Sequence, residues 1–268
     1  MRRYFLSRPH IRPQLRLTIE DDRLADGLTA YFEGFLTDRV NPEAEDISIF
    51  GTGPAYRFVT AAGTVPTEYP IAQLADEWHR RLCLEEGWAG LHAAGLVWNR
   101  HAFLFAAATT TGKTTLTAYL LHEGFGYLSD DCVTIHRRTL TAVPSGNTLH
   151  LREGGREILR QLGALPPGLR PAGEPGAERF VYTPPAAPDM AYPIGGIFLL
   201  ERSTENRLLP LSQSDAMPLL MKNAMVHEKL SAERLRFWLA LSARPIYHLY
   251  YREMAFVAAC IKEAADNG

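Results

Sequence analysis

The sequence predicts an α/β fold, with a P-loop core preceded by a small β-rich lobe. Three observations predict it. Residues 101–131, HAFLFAAATTTGKTTLTAYLLHEGFGYLSDD, hold an apolar run, a loop of small residues closed by Gly112-Lys113-Thr114-Thr115, a helical pattern, and a second apolar run ending in Asp130-Asp131. Residues 1–66 carry short alternating runs between Gly and Pro turns. Residues 67–268 mix strand and helix periods, the layout of a layered core.

With 268 residues, 46% of them hydrophobic, the chain can bury a core large enough for one big domain or a small one joined to a larger. A net charge of -2 supplies no global field that would attract nucleic acid or a membrane surface, so neither is expected as a partner. Cys83, Cys132 and Cys260 are far apart, form no metal or redox spacing, and fit a reducing cytoplasm. No apolar run approaches the ~18 residues of a membrane span.

The arginines of the first 18 residues (Arg2, Arg3, Arg8, Arg12, Arg16) precede no apolar secretory segment, so they read as a basic arm or as part of an edge strand. Leu15, Leu17 and Ile19 alternate with polar positions, which favours the strand. Further strands are expected over 46–50 and 56–60, between turns at Gly51, Gly53-Pro54 and Gly63. From Pro70 the period changes: Ile71, Leu74, Ala75, Trp78 and Leu82 share one helical face, and Gly87 stops the helix. A hairpin follows, 91–98 and 102–106, turning at Asn99-Arg100. After Asp131 come a second hairpin (133–136, 140–143) and a short helix over 152–162. The stretch 163–188, rich in Pro and Gly, is too long for an ordinary connector and reads as a flexible segment. Strands at 197–200 and 246–250 and helices at 215–225, 232–241 and 254–265 complete the chain.

The chemistry concentrates at the loop. Small residues let backbone N–H groups approach phosphate oxygens, and the helix N-terminus adds its positive dipole end. Ala107, Ala108, Thr109, Thr110, Thr111, Gly112, Lys113, Thr114 and Thr115 are therefore the candidate nucleotide-binding residues. In the pattern G-x-x-x-x-G-K-[ST], Ala107 replaces the first glycine. Lys113 is placed to reach the β- and γ-phosphates, and Thr114 with the strand-end Asp130 to ligate Mg²⁺. Lysine is scarce: only Lys113, Lys222, Lys229 and Lys262 occur. Glu153 and Glu157 are further candidate acidic ligands, and Arg152, Arg170 and Arg179 candidate phosphate contacts.

His92, twenty-one residues before Lys113, and Asp130-Asp131, seventeen and eighteen after it, together with the hairpin before the loop, resemble the HPr kinase/phosphorylase family and its kinase-like homologues. That family shares its nucleotide core with phosphoenolpyruvate carboxykinases. The resemblance covers roughly residues 88–150. It implies ATP and Mg²⁺ as cofactors, Asp131 as the carboxylate accepting the proton of a serine hydroxyl, Asp130 as the neighbouring metal-binding acid, His92 as the active-site histidine, and a homo-oligomer. The chain departs from the family at Ala107, in an N-terminal lobe unlike the family's regulatory domain, and in LHLREGGREI, where the arginine-glycine signature of the phosphorolytic reaction is not legible.

These readings converge on a kinase of a serine or threonine hydroxyl on a peptide or small protein, as in kinase-like homologues that modify natural-product precursor peptides. The competing expectations are a small-molecule hydroxyl kinase and a nucleotide-binding regulator without transferase activity. A GTPase switch is disfavoured, because no Asn-Lys-x-Asp occurs.

Overall fold

Alternation in the first lobe folds as pleated strands whose apolar side faces inward. In the computed structural model the described residues are 1–8, 11–39, 41–53, 55–107, 111–145, 147–172, 179–188, 191–226 and 231–266. β1 (Arg2–Arg8) and β2 (Ile11–Ile19) form an antiparallel pair. Leu15, Leu17 and Ile19 of β2 are fully buried. β2 runs parallel to β3 (Glu45–Thr52), which requires a crossover, and α1 (Asp22–Tyr31) supplies it. Asp21 caps α1 by accepting from the Arg23 and Leu24 N–H groups. β4 (Ala55–Thr60) and β5 (Gly63–Thr67) extend the sheet in sequence order. The basic-arm expectation does not fit Arg2 and Arg16: Arg2 reaches Asp22 and Asp26 of α1, and Arg16 pairs with Asp46.

α2 (Pro70–Leu84) opens on proline, whose missing N–H has no helical partner to lose there. Its face of Leu74, Ala75, Trp78 and Leu82 packs into the same buried cluster as Leu17, Ile47 and Phe58. Residue 66 therefore divides the sheets but not the cores, since α2 completes the core of the lobe.

The second sheet holds β6 (Trp88–Leu91), β7 (Ala93–Trp98), β8 (His101–Ala106), β9 (Gly126–Ser129), β10 (Val133–His136) and β11 (Thr141–Val143), with α3 (Lys113–His122) between β8 and β9. Asn99 and Arg100 join β7 to β8 with φ of 47° and 63°, the left-handed pair a two-residue hairpin prefers. β12 (Leu149–Leu151) is followed by α4 (Glu153–Gln161), β13 (Arg170–Ala172) and β14 (Arg179–Tyr182). These three strands form a separate sheet in the order β12-β14-β13. The described residues of 163–188 thus include two paired strands, which the Pro and Gly content concealed.

β15 (Tyr192–Arg202) runs parallel to β8 and is followed by β16 (Arg207–Pro210), α5 (Gln213–Lys222), α6 (Ala232–Ser242), β17 (Ile246–Tyr251) and α7 (Met254–Asp266). β17 lies parallel to β15 along its C-terminal half. α3, α4 and α7 pack one face of this sheet through Leu116, Leu120, Leu159 and Val257. α5 and α6 cover the other through Leu220, Phe237 and Leu241. Among the described residues no helix is long and apolar enough to cross a membrane.

Candidate active site

β8 delivers the chain to the loop, and α3 begins on Gly112 at φ 93° with no capping side chain. The first-turn N–H groups of a helix have no partner within the helix, so those of α3 are left for the loop or a ligand. Ala107 is buried and does not adopt positive φ. The missing glycine therefore causes no backbone strain at that position. Ala108, Thr109 and Thr110 lie outside the described residues.

Lys113 is buried at the start of α3. Its ammonium donates to His92 Nε2 at 2.8 Å and to the Ala107 carbonyl at 3.4 Å. Burial lowers the Lys113 pKa, while Asp131 and Asp130 oppose the shift. His92 sits at the break between β6 and β7, held by its own N–H to the Asn223 carbonyl at 2.7 Å. Its pKa is lowered by burial first and by Lys113 second. A lysine ammonium only donates, so the imidazole accepts at Nε2 and is neutral.

Thr114 Oγ1 donates to Asp130 Oδ2 at 2.8 Å. Asp130 Oδ1 is buried without a hydrogen-bond partner. Burial, then the adjacent Asp131, pushes the Asp130 carboxyl up to about 7. A hydroxyl beside a carboxylate with one unanswered buried oxygen is a donor set that fits Mg²⁺, which takes one or two protein ligands and completes its shell with phosphate and water. Consistent with that sparse set, no cluster of three or more His, Cys, Asp or Glu ligands occurs among the described residues.

Asp131 follows directly, and its charge acts on Tyr31, Asp76, Tyr127 and His150. Tyr31 ends α1 and packs its ring 4.1 Å from that of His150 on β12. His150 Nε2 is buried without a hydrogen-bond partner, and burial with the nearby Arg179 pushes the imidazole down to about 4. Glu33, just past α1, accepts from both Arg170 and Thr183 at 2.6 Å, tying the lobe to the β12-β14-β13 sheet. One side of the site is thus a junction of lobe and core.

Several expected residues are placed elsewhere. Glu153 and Glu157 are spent in i,i+3 pairs with Arg156 and Arg160 along exposed α4, so they are not metal ligands. Arg170 is held by Glu33, and Arg152 only precedes α4. Thr115 turns its hydroxyl toward α4, where a Cβ on Gly155 would stand 2.5 Å from it, so its share in the loop is its backbone N–H. Two residues escaped the sequence reading. Tyr251 donates its phenol to the Thr111 carbonyl at 3.0 Å, and Arg202 lies over the Tyr251 ring at 5.4 Å. Neither belongs to a local motif; only the strand pairing Arg202↔Tyr251 brings them to the loop.

No protein-family model and no curated protein matches the chain. Among solved structures it is similar to the Hpr(Ser) kinase/phosphatase from Coxiella burnetii, at 15% identity and a TM-score of 0.33, over 66% of this chain and 94% of that one. At that score the likeness carries no argument, and the functional reading rests on the site.

Proposed function

We propose that this chain is an ATP- and Mg²⁺-dependent kinase that phosphorylates a serine or threonine hydroxyl of a peptide or small protein. The observation that carries the reading is the Thr114–Asp130 pair, with its unanswered oxygen, one residue from a buried lysine at an uncapped helix start. Thr114 Oγ1 and Asp130 would hold Mg²⁺, which when bound offsets the charge of the phosphates. Lys113 and the first-turn N–H groups of α3 bind and orient the β- and γ-phosphates. Asp131 orients the acceptor hydroxyl and takes its proton as the oxygen bonds to the γ-phosphorus. The bond from that phosphorus to the bridging oxygen breaks, and ADP leaves with the electron pair. Transfer of this kind needs positioning and charge stabilisation more than covalent help, and the residues on the page supply both. The lobe–core junction around Tyr31, Asp76 and His150 favours an acceptor that reaches across both units.

The test is transfer of label from γ-labelled ATP with Mg²⁺ to candidate peptides. Lys113→Ala and Asp131→Asn are expected to abolish transfer while circular dichroism shows a folded chain. Wild-type rates in either variant would sink the assignment. Tight ATP binding without transfer to any acceptor or to water would make the chain a nucleotide sensor instead.

A further inference from the structure

The loop is flanked on two sides, and one flank has no role in the chemistry above. In the order β15-β8-β7-β9, the strand leading to Asp130 lies on one side of β8 and β15 on the other. β15 pairs Leu199 with Ala106, the last residue of β8, and then continues three residues beyond, to Arg202. Ligands of open parallel sheets bind at the carboxyl ends of the strands, which is where this extension arrives.

The guanidinium is held there by specific contacts. Its Nη2 and Nε lie 3.8 and 3.9 Å from the point where a side chain on Gly112 would begin. Its carbon stands 5.4 Å over the Tyr251 ring, and it hydrogen-bonds the Tyr251 side chain. The Tyr251 phenol in turn holds the Thr111 carbonyl at 3.0 Å. One tyrosine thereby ties the cation and the loop together. The charge itself is unanswered: Arg202 is exposed, and among the described residues it makes no ion pair with a carboxylate. The adjacent Glu201 is taken by His248 at 3.1 Å.

An arginine is always charged, and its planar fork matches phosphate oxygens. Packed by an aromatic ring beside a phosphate loop, without an acid of its own, it has one chemical complement at hand. We infer that Arg202 is a second phosphate cation of the site, binding the nucleotide polyphosphate from the β15 side, opposite Asp130. The inference rests on the nucleotide reading above and adds a residue to it. Lys113 then serves the phosphates from within the loop and Arg202 from outside it.

The experiment is titration calorimetry of Mg·ATP and of Mg·tripolyphosphate, which has the phosphates but no nucleoside, against wild type, Arg202→Gln and Arg202→Lys. Arg202→Gln is expected to weaken both ligands about ten- to hundredfold. Arg202→Lys should recover part of the loss, and the melting midpoints of the unliganded variants should match wild type. Unchanged binding of both ligands by Arg202→Gln would overturn the inference while leaving the nucleotide site intact. Weakened ATP with unchanged tripolyphosphate would overturn it too, by making Arg202 a platform for the base. Wild type that binds neither ligand would bring down the nucleotide reading itself, and this inference with it.

Discussion

The Lys113 ammonium stands 2.8 Å from His92 Nε2, so the catalytic cation is aimed by a residue twenty-one positions earlier in the chain. The imidazole is a positioning group in this arrangement, since its lone pair fixes where the ammonium sits. His92→Ala is expected to lower phosphoryl transfer about ten- to hundredfold. His92→Gln, whose amide oxygen can also accept from lysine, should recover part of that loss. Steady-state rates over a range of ATP concentrations test this; equal activity in Ala and Gln variants would remove His92 from the mechanism.

Asp130 is a buried carboxylate that the fold tolerates for the sake of its ligand. Asp130→Asn removes that charge. The variant is expected to melt above wild type at pH 8 without divalent cation, and to lose the stabilisation that Mg²⁺ with ATP confers on wild type. Differential scanning fluorimetry with and without the ligands reads both effects. A wild type indifferent to Mg²⁺ would exclude Asp130 as a metal ligand.

His150 gives the fold an acid limb. Its ordinary pKa of 6.5 falls to about 4 in the folded chain, through burial and then Arg179, with Asp131 opposing. Between those values the unfolded chain holds a proton that the folded chain lacks, so stability falls as pH drops from 6.5 to 4. The full effect is on the order of 3 kcal/mol. His150→Gln should flatten this slope in urea denaturation at pH 7 and 4.5. A slope unchanged from wild type would assign the acid limb to other groups.

Trp78 anchors the lobe to α2. It is fully buried, and its ring meets Phe35 edge-on at 5.5 Å. Trp78→Ala is expected to cost about 3–5 kcal/mol in urea denaturation. Trp78→Phe should cost less, because it removes an indole N–H that is buried without a hydrogen-bond partner along with part of the ring. Loss below 1 kcal/mol in Trp78→Ala would mean that the lobe core closes without this residue.

Elements with a strong local signal were legible. The type of α2 follows from a stripe repeating at helical spacing, and the β7–β8 hairpin from two strands around a two-residue turn. α1 was missed because its buried set is short (Leu24, Ala25 and Leu28) and Gly27 interrupts the pattern. That glycine has a tertiary reason, since a Cβ there would meet Ile71 of α2 at 3.3 Å. β13 and β14 were missed because three- and four-residue strands carry almost no period, and their partner β12 lies outside the segment.

The phosphate loop, the helix that starts on Gly112 and the carboxylates closing the next strand could be read from the chain alone, because each depends on neighbours in sequence. Backbone freedom at glycine, dipole direction at a helix start and alternation along a strand are local properties. The company those groups keep is not local. His150 against Tyr31, Glu33 across to Arg170, and Arg202 over Tyr251 beside the loop all arise from strand order and from the docking of one sheet against another. Such contacts join residues 47 to 137 positions apart. They are set by which apolar faces must be buried together, and no short stretch of sequence records that.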